Sequence, residues 1–220
     1  RPERVVVIPH GEYGFFDRGG EAPGREEARR GLGLEPKDEV ALFFGYIREY
    51  KGLDLLLEAW PAVADARPGA RLLVAGDPVR LDPARRTELE AWATRLGAVH
   101  RFEYIPFSDV SRYFRAADVL VMPYRHISQS GVLFLALSLG VPVVATRVGG
   151  LGEVLRDGYS ALLVPPESPS SLGEALVRVL GDPGLREGLA RGGRQVAEEH
   201  SWTSIAERTE TLFARLTAER

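Results

Sequence analysis

Two basic side chains follow a short apolar run in the first quarter of the chain. Residues 43–58 read FFGYIREYKGLDLLLE. Arg48 and Lys51 follow Gly45, at the end of the apolar run 40–44, and precede an amphipathic helix. In open α/β sheets, ligands bind in the crevice at the carboxyl ends of the strands. A guanidinium and an ammonium at that place can hold an anion such as a diphosphate. Two solvated charges on a surface loop would produce the same pattern.

A second segment, residues 123–146, carries a polar loop that leads into a helix. It reads PYRHISQSGVLFLALSLGVPVVAT, and the helix is apolar on nearly every side, which predicts that it is buried. The free N–H groups and the dipole at the start of such a helix form an anion site. Simple capping of the helix by a serine is the alternative. The residues that a ligand could reach at this helix start are Ser128, Gln129, Ser130, Gly131 and Val132.

These two segments are expected to act together. We predict that Arg48 and Lys51 point into one groove at the carboxyl edge of a parallel sheet and face the helix start near Gly131. We also expect both cations to lie on an exposed loop, so that their removal changes stability little. Gly76 ends the third predicted strand before Asp77, where it could border a nucleotide or form a strand-to-loop turn.

The composition excludes several other kinds of site. The net charge of −3 gives no electrostatic basis for binding nucleic acid. There is no cysteine, which excludes disulfides, thiolate metal ligands and cysteine nucleophiles. The four histidines are scattered without the spacing of metal ligands, and neither a metal nor a cofactor is expected. No apolar run approaches the ~20 residues of a membrane-spanning helix. The chain does not begin with Met, which favours a fragment.

Short apolar runs alternate with helical segments along the whole chain. Because the runs are continuously apolar, they predict one Rossmann-like α/β domain, with a parallel sheet and helices on both faces. The predicted strands are residues 4–9, 40–45, 71–75, 101–105, 119–122, 141–145 and 161–164. The predicted helices are residues 25–32, 52–66, 83–96, 108–114, 129–139, 151–156, 170–180, 183–200 and 201–216. Pro61 is expected to bend its helix or to begin a new one.

Several motifs, in their order, resemble those of a known enzyme family. The sequence GYIREYKGLDLLLEA is followed further along the chain by SQSGVLFLALSLGVPVVATRVGGLGEVL. Together they resemble the carboxyl-terminal domain of retaining glycosyltransferases of family four, also called glycosyl transferases group 1, which have the two-domain GT-B fold. The opening VVVIPHG resembles the crossover strand of that family, which implies a crossover strand and loop over residues 1–20. The final SWTSIAERTETLF resembles its closing helices, here at residues 201–220.

The resemblance implies roles for individual residues. Members of this family hold the diphosphate of a sugar donor with a basic pair in the first βα loop, and Lys51 matches their lysine. Their arginine directly follows the loop glycine, where this chain has Tyr46, so Arg48 is the candidate replacement. Ile105 ends the strand where such domains lay the nucleobase against backbone and apolar side chains. The cations would stabilise the leaving group together with the helix start, and no further catalytic residue is assigned.

The chain departs from the family pattern at two positions. The usual signature has two glutamates separated by seven residues, and Ile127 and Leu135 occupy those positions here. In the family the second glutamate holds ribose hydroxyls and the first contacts the sugar, so neither role carries over. Ser128, Gln129 and Ser130 could take over part of the first role. We expect Leu135 to be buried and not to contact a ligand.

The resemblance implies the donor-binding half of an enzyme that moves a sugar from a nucleoside-diphosphate sugar to an acceptor hydroxyl, with retention of configuration and without a metal. Residues 1–220 would form one nucleotide-sugar-binding domain, inactive by itself, and the acceptor-binding amino-terminal domain would be absent. The acceptor would be a glycan or lipid-linked, and the whole protein cytoplasmic or peripheral to the inner membrane face. The alternatives are a non-catalytic nucleotide- or glycan-binding module and a GT-B relative such as a sugar-nucleotide epimerase, for which no convincing set of catalytic side chains is visible.

Overall fold

The computed structural model describes Val6, Ile8, residues 11–14 and residues 23–218. The predicted strand at residues 4–9 and the predicted crossover segment 1–20 lie outside the described residues, apart from those just named. Within the described part, one parallel sheet contains β1 (Glu39–Phe44), β2 (Ala70–Ala75), β3 (Val99–Arg101), β4 (Val119–Met122), β5 (Val143–Thr146) and β6 (Leu162–Val164). The helices there are α1 (Arg25–Gly31), α2 (Leu53–Ala66), α3 (Pro83–Arg95), α4 (Phe107–Ala116), α5 (Gly131–Ser138), α6 (Gly149–Val154), α7 (Pro169–Gly181), α8 (Pro183–Glu199) and α9 (Trp202–Ala218).

Each face of the sheet is covered by a separate apolar layer. Along β1, Val40, Leu42 and Phe44 pack in one core with residues of α1, α4 and α5. Ala41 and Phe43 alternate with them and pack in the other core with residues of α2, α3 and α7. Successive positions of the strand are apolar because both faces are buried. The predicted architecture, a parallel sheet with helices on both faces, is confirmed.

The order of the strands creates a crevice at the carboxyl edge of the sheet. The order is β3-β2-β1-β4-β5-β6, so the chain winds outward from β1 in one direction and from β4 in the other. β1 and β4 are parallel neighbours, with Ala41 opposite Val119 and Leu42 opposite Leu120. Loops that leave two such strands in opposite directions open a crevice between them, and open α/β folds bind ligands there. The two segments predicted to bind an anion follow β1 and β4 directly.

The predicted strand at residues 101–105 is wrong. The strand is β3, which ends at Arg101, and residues 102–106 form a loop. β3 pairs with β2 in a register that places Arg101 opposite Ala75, the last residue of β2. The N–H of Gly76 donates to the carbonyl of Arg101 at 2.9 Å, and the chain then turns away. β3 stops there because the chain that follows Gly76 no longer runs alongside it.

The helices follow their predicted positions, with one difference in α2. That helix runs continuously from Leu53 to Ala66 and does not restart at Pro61, which lies on its exposed side. A proline removes only one helical hydrogen bond, and the buried face of α2 holds the helix across it. No helix among the described residues is both long and apolar enough to cross a lipid bilayer.

Candidate functional site

A tight turn after β1 carries Lys51 into the crevice. Gly45 follows β1 with a φ of +94°, a backbone conformation that favours glycine. The chain then forms a single 3-10 turn, Glu49–Lys51, and Gly52 (φ +67°) ends this turn and begins α2. A Cβ on Gly52 would overlap the carbonyl oxygen of Pro123, so the turn lies directly against the end of β4. The two glycines therefore fix where the lysine lies.

The Lys51 amine lies where the two predicted segments meet. A Cβ built on Gly45 would be 3.0 Å from Lys51 Nζ and 3.0 Å from Val132 Cγ2. The end of β1, the lysine amine and the first turn of α5 therefore surround one point. Lys51 Nζ also lies 5.4 Å from the centre of the Tyr124 ring, a distance typical of a cation–π contact. The fold thus brings together side chains that lie far apart in the sequence.

Lys51 is buried, and the expectation of an exposed loop is wrong for it. The residue is 6% exposed because the 3-10 turn folds back over the end of β1. Burial, together with the nearby charge of Arg48, lowers the pKa of Lys51 to about 8. Within the described part of the chain, no carboxylate forms an ion pair with Lys51. A desolvated cation without a counter-ion destabilises a fold, and an anionic ligand would offset that penalty.

Arg48 lies beside Lys51 and nearer to solvent. It is partly exposed, and its guanidinium carbon lies 5.6 Å from the centre of the Tyr46 ring. Tyr46 itself is 52% exposed. The charge of Arg48 contributes, after burial, to the lowered pKa of Lys51, so the two cations are close neighbours on one turn. Their combined charge favours an anion between this turn and α5.

Ser130 caps α5, which is the alternative that the sequence had left open. Its hydroxyl accepts a hydrogen bond from the N–H of Leu133 at 3.4 Å. Tyr124 is fully buried, and burial raises the pKa of its phenol. Gly131 provides space for another side chain, because a Cβ there would lie 2.9 Å from the hydroxyl of Tyr13. The positive end of the α5 dipole remains at the crevice.

Ser128 and Gln129 lie exposed in the loop before α5. This loop rests on the first turn of α6, where the N–H of Gly150 donates to the carbonyl of Ile127 at 3.1 Å. A Cβ on Gly149 or on Gly150 would overlap the backbone of the same loop. The glycine pair therefore holds the loop beside the crevice, and both polar side chains stay open to solvent.

Gly76 packs against the loop after β1, whereas Ile105 packs in a core of the domain. A Cβ on Gly76 would overlap the carbonyl of Gly45, so this glycine lets the loops after β1 and β2 touch. Ile105 is 9% exposed and belongs to one of the two cores, whereas its neighbour Tyr104 is 65% exposed. Leu135, at a signature glutamate position of the resembling family, is 5% exposed, which confirms that it is buried.

Arg125 is the residue at the crevice that the sequence did not reveal. Its backbone N–H donates to the carbonyl of Tyr50 at 2.7 Å, and its guanidinium donates to the carbonyl of Glu49 at 2.8 Å. Two more guanidinium hydrogen bonds of 2.9 Å reach the Asp54 carboxylate. The sequence does show an arginine shortly after an apolar strand, and this position could have indicated a residue at the carboxyl edge of the sheet. Its partners, however, are 71 and 76 residues away in the chain, and only the fold shows the pairing.

The assembled crevice is suited to bind an anion. The amine of the buried Lys51 and the start of α5 meet where the loops after β1 and β4 separate, and the second cation, Arg48, lies on the same turn. These are the groups that bind phosphates in proteins. In the part of the chain that the structure describes, no three side chains of His, Cys, Asp or Glu are grouped so that they could hold a metal ion.

Relatives of known sequence match most of this chain. The family model described as glycosyl transferases group 1 matches residues 38–182, which contain the whole sheet. A D-inositol 3-phosphate glycosyltransferase from Streptomyces bingchenggensis is 36% identical over 220 residues, which cover 97% of this chain and 48% of that protein. The chain therefore spans about half the length of the relatives it matches.

Solved structures share the fold. The carboxyl-terminal domain of the group 1 protein LpcC from Francisella tularensis has a TM-score of 0.70 and 22% identity, covering 80% of this chain and 92% of that domain. HepE from Anabaena, in complex with UDP-glucose, has a TM-score of 0.83 and 22% identity, covering 97% of this chain and 58% of its own. The chain thus has the fold of the carboxyl-terminal domain of GT-B proteins, which is one Rossmann-like half of that fold. On the match over residues 38–182, the chain belongs to the glycosyl transferases group 1 family.

Proposed function

We propose that this chain is the donor-binding domain of a glycosyltransferase, which moves a sugar from a nucleoside-diphosphate sugar to an acceptor hydroxyl with retention of configuration. One observation carries the proposal. Lys51 is a buried residue in the crevice between the loops after β1 and β4, and no carboxylate of the described residues pairs with its amine. Charged side chains are almost never buried without a partner. A bound diphosphate would be that partner.

The same groups fit the departure of a diphosphate. As the bond between sugar and diphosphate breaks, negative charge increases on the leaving phosphate. Lys51, Arg48 and the start of α5 would face that charge, and preorganised donors of this kind contribute about 3–4 kcal/mol each to lowering a reaction barrier. With a pKa of about 8, Lys51 is mostly protonated at neutral pH, so it would act through its charge and not as a base.

The rest of the proposed donor site surrounds these cations. Uridine diphosphate is the first nucleotide to test, because the similar fold of HepE was solved with UDP-glucose. Gly45, Gly76 and Ile105 would border the nucleotide, and the exposed Ser128 and Gln129 would face the sugar. The acceptor, a glycan or a lipid-linked group, would be bound by a further domain, since the chain spans about half the length of its relatives.

Calorimetric titration with nucleotides tests the proposal. UDP, GDP and ADP are compared with their nucleosides, first on the wild-type chain and then on Lys51→Ala. Hydrogen bonds to charged groups contribute about 1.5–3 kcal/mol, so the variant should bind the best diphosphate roughly ten- to a hundredfold more weakly. Its affinity for the nucleoside should stay the same.

Lys37→Ala is the matched control, because Lys37 is the second of the two lysines in the chain and is 85% exposed. It should bind every ligand as the wild type does. If no nucleoside diphosphate bound the wild type, or if Lys51→Ala bound it with undiminished affinity, the proposal would fail.

A non-catalytic nucleotide-binding module is the second candidate. The observation that favours it is the pair of apolar residues Ile127 and Leu135 at the signature glutamate positions, with Leu135 packed in the core. Such a module would bind the diphosphate through Lys51 but transfer no sugar. Donor turnover by a protein that joins this domain to an acceptor domain would distinguish the two functions.

A further inference from the structure

We infer that Arg125 is a positioning residue that holds the turn carrying Lys51 against the start of α5. The inference rests on the proposed function for the role of that turn, but the contacts of Arg125 that support it do not involve a ligand. Arg125 lies three residues after β4 and belongs to the polar loop that leads into α5. It therefore joins the two segments that form the candidate anion site.

Arg125 makes two hydrogen bonds to the backbone of the turn that carries Lys51, which we call the lysine turn. That turn is Glu49–Lys51, and Arg125 binds the carbonyls of its first two residues, with its guanidinium on Glu49 at 2.8 Å and its own N–H on Tyr50 at 2.7 Å. Lys51 is the third and last residue of the turn. The bond to Tyr50 comes from the main chain, and the guanidinium bond to Glu49 is the contact with the turn that the arginine side chain adds.

The guanidinium is also fastened to two other elements. It makes a two-pronged pair with Asp54 in the first turn of α2, and its Nε lies 2.8 Å from Glu167 in the loop after β6. Arg85 of α3 reaches the same Asp54 carboxylate at 3.1 Å. Burial opposes ionisation of Asp54, but the hydrogen bonds and charges of Arg125 and Arg85 together lower its pKa. Loops after three strands are thus tied at one guanidinium.

The position of the turn decides how much water reaches the amine of Lys51. The charged and titratable groups around that amine are Arg48 on its own loop and Tyr124 on the loop before α5, while α5 itself presents the apolar Val132. Burial is the main cause of the lowered pKa of Lys51. If the turn moved away from α5, water would replace this apolar contact and the ammonium would be easier to form.

Lysine-selective NMR can follow this effect without any nucleotide. The chain has two lysines, so the side-chain carbon signals of Lys51 and of the exposed Lys37 are read in one spectrum. In the wild type, Lys51 should titrate at about 8. In Arg125→Gln the guanidinium contacts with Glu49 and Asp54 are lost, so the turn is held less firmly, and the midpoint of Lys51 should move upward. Arg125→Lys keeps the charge but not the two-pronged geometry, so it should shift the midpoint in the same direction.

Arg67→Gln is the matched control. Arg67 makes an equivalent two-pronged pair with Glu39 at the opposite end of β1, and its side chain is 32% exposed against 27% for Arg125. Its loss should leave the Lys51 midpoint unchanged. Three results would overturn the inference: no shift in Arg125→Gln, an equal shift in Arg67→Gln, or a shift in Arg125→Gln that is absent from Arg125→Lys. The last would mean a direct effect of charge.

Binding of UDP provides the second readout. Displacement of a binding group by about 1 Å costs up to a hundredfold in function, so Arg125→Gln should weaken UDP roughly tenfold or more and leave uridine unaffected. Equal weakening of both ligands would contradict a role specific to the lysine turn. If the wild type failed to bind UDP, the proposed function would be wrong, whereas the lysine titration would still decide whether Arg125 positions the turn.

Discussion

At the scale of single residues, the desolvation of Lys51 determines how the site behaves. The fold holds a lysine residue that is 6% exposed, beside the second cation Arg48 and with its ammonium over an aromatic ring. A diphosphate would replace the lost hydration with charge-assisted hydrogen bonds. Proton binding at Lys51 and diphosphate binding should therefore strengthen each other.

The first prediction concerns stability and pH. The pKa of Lys51 is about 8 in the fold and 10.5 as its ordinary value. Below pH 8 both states carry the proton, and the folded state bears the whole penalty. Between these two values the folded state has lost the proton while the unfolded state keeps it, so this contribution to stability rises with pH, by about 3 kcal/mol in all.

Urea denaturation of the wild type and of Lys51→Met from pH 7 to 10.5 measures this difference. The variant lacks the penalty, so it should be more stable than the wild type at pH 7 by up to about 3 kcal/mol, and the gap should close as pH rises. Lys37→Met is the control and should follow the wild type. A constant gap between Lys51→Met and the wild type across the range would contradict a buried ammonium.

The second prediction concerns Leu135, which is 5% exposed in the core. Restoring the family carboxylate with Leu135→Glu should destabilise the domain by several kcal/mol at pH 8, because an unpaired charge is buried. Burial raises the pKa of such a glutamate above its unfolded value, so the loss should be smaller at pH 5, where the folded state keeps the proton.

Thermal and urea denaturation at both pH values check this, with Leu135→Met as the volume-conserving control that should cost less than about 1.5 kcal/mol. An unchanged melting temperature combined with tighter UDP binding would show instead that a ribose site meets the carboxylate.

At the scale of elements, close backbone contacts hold the two halves of the site together. The turn after β1 touches the end of β4 at Gly52 and Pro123, and the loop before α5 rests on Gly149 and Gly150 of α6. A side chain at any of these glycines would push one loop away from the other. The site therefore depends on glycines that need not contact a ligand.

The third prediction compares two glycines with almost the same positive φ. Gly52 and Gly97 have φ of +67° and +68°. A Cβ on Gly97 meets no atom within 4 Å, whereas one on Gly52 would overlap the carbonyl of Pro123. Both alanine variants bear the strain of a left-handed residue, about 1–2 kcal/mol. Only Gly52→Ala should also move the lysine turn.

Gly52→Ala should therefore lose more stability than Gly97→Ala and should bind UDP at least tenfold more weakly, while Gly97→Ala binds as the wild type does. Chemical denaturation and calorimetry of the two variants give both quantities. Equal effects of the two alanines on UDP binding would mean that the contact with Pro123 does not position the turn.

At the scale of the whole molecule, the chain is one Rossmann-like half of a GT-B fold and spans about half the length of its relatives. The crevice lies at the carboxyl edge of the sheet and carries cations, but the acceptor hydroxyl also needs to be held. We expect this chain to bind a donor nucleotide and to transfer no sugar by itself. Incubation with labelled UDP-glucose and acceptor mixtures tests this, and transfer by the chain alone would refute the assignment of acceptor binding to a further domain.

The sequence by itself determined the class of the fold and the chemistry of the first loop. Continuous apolar runs between helical segments required a sheet buried on both faces, and the glycine that ends β1 fixed where Arg48 and Lys51 begin a βα loop. These features are local, because an apolar run or a glycine with positive φ constrains its own neighbourhood. The predicted end of β3 was wrong because that end is not a local feature and depends on where the neighbouring strand β2 stops.

Only the tertiary structure decided the environment of those residues. The burial of Lys51, the approach of Val132 and the hold of Arg125 on the lysine turn all join segments more than 70 residues apart. Burial acts through space, so the main cause of the lowered Lys51 pKa is the packing of β4 and α5 beside β1, to which the charge of the sequence neighbour Arg48 adds. The residue types indicated the chemistry of the site, and the fold determined the burial that lowers the pKa of Lys51.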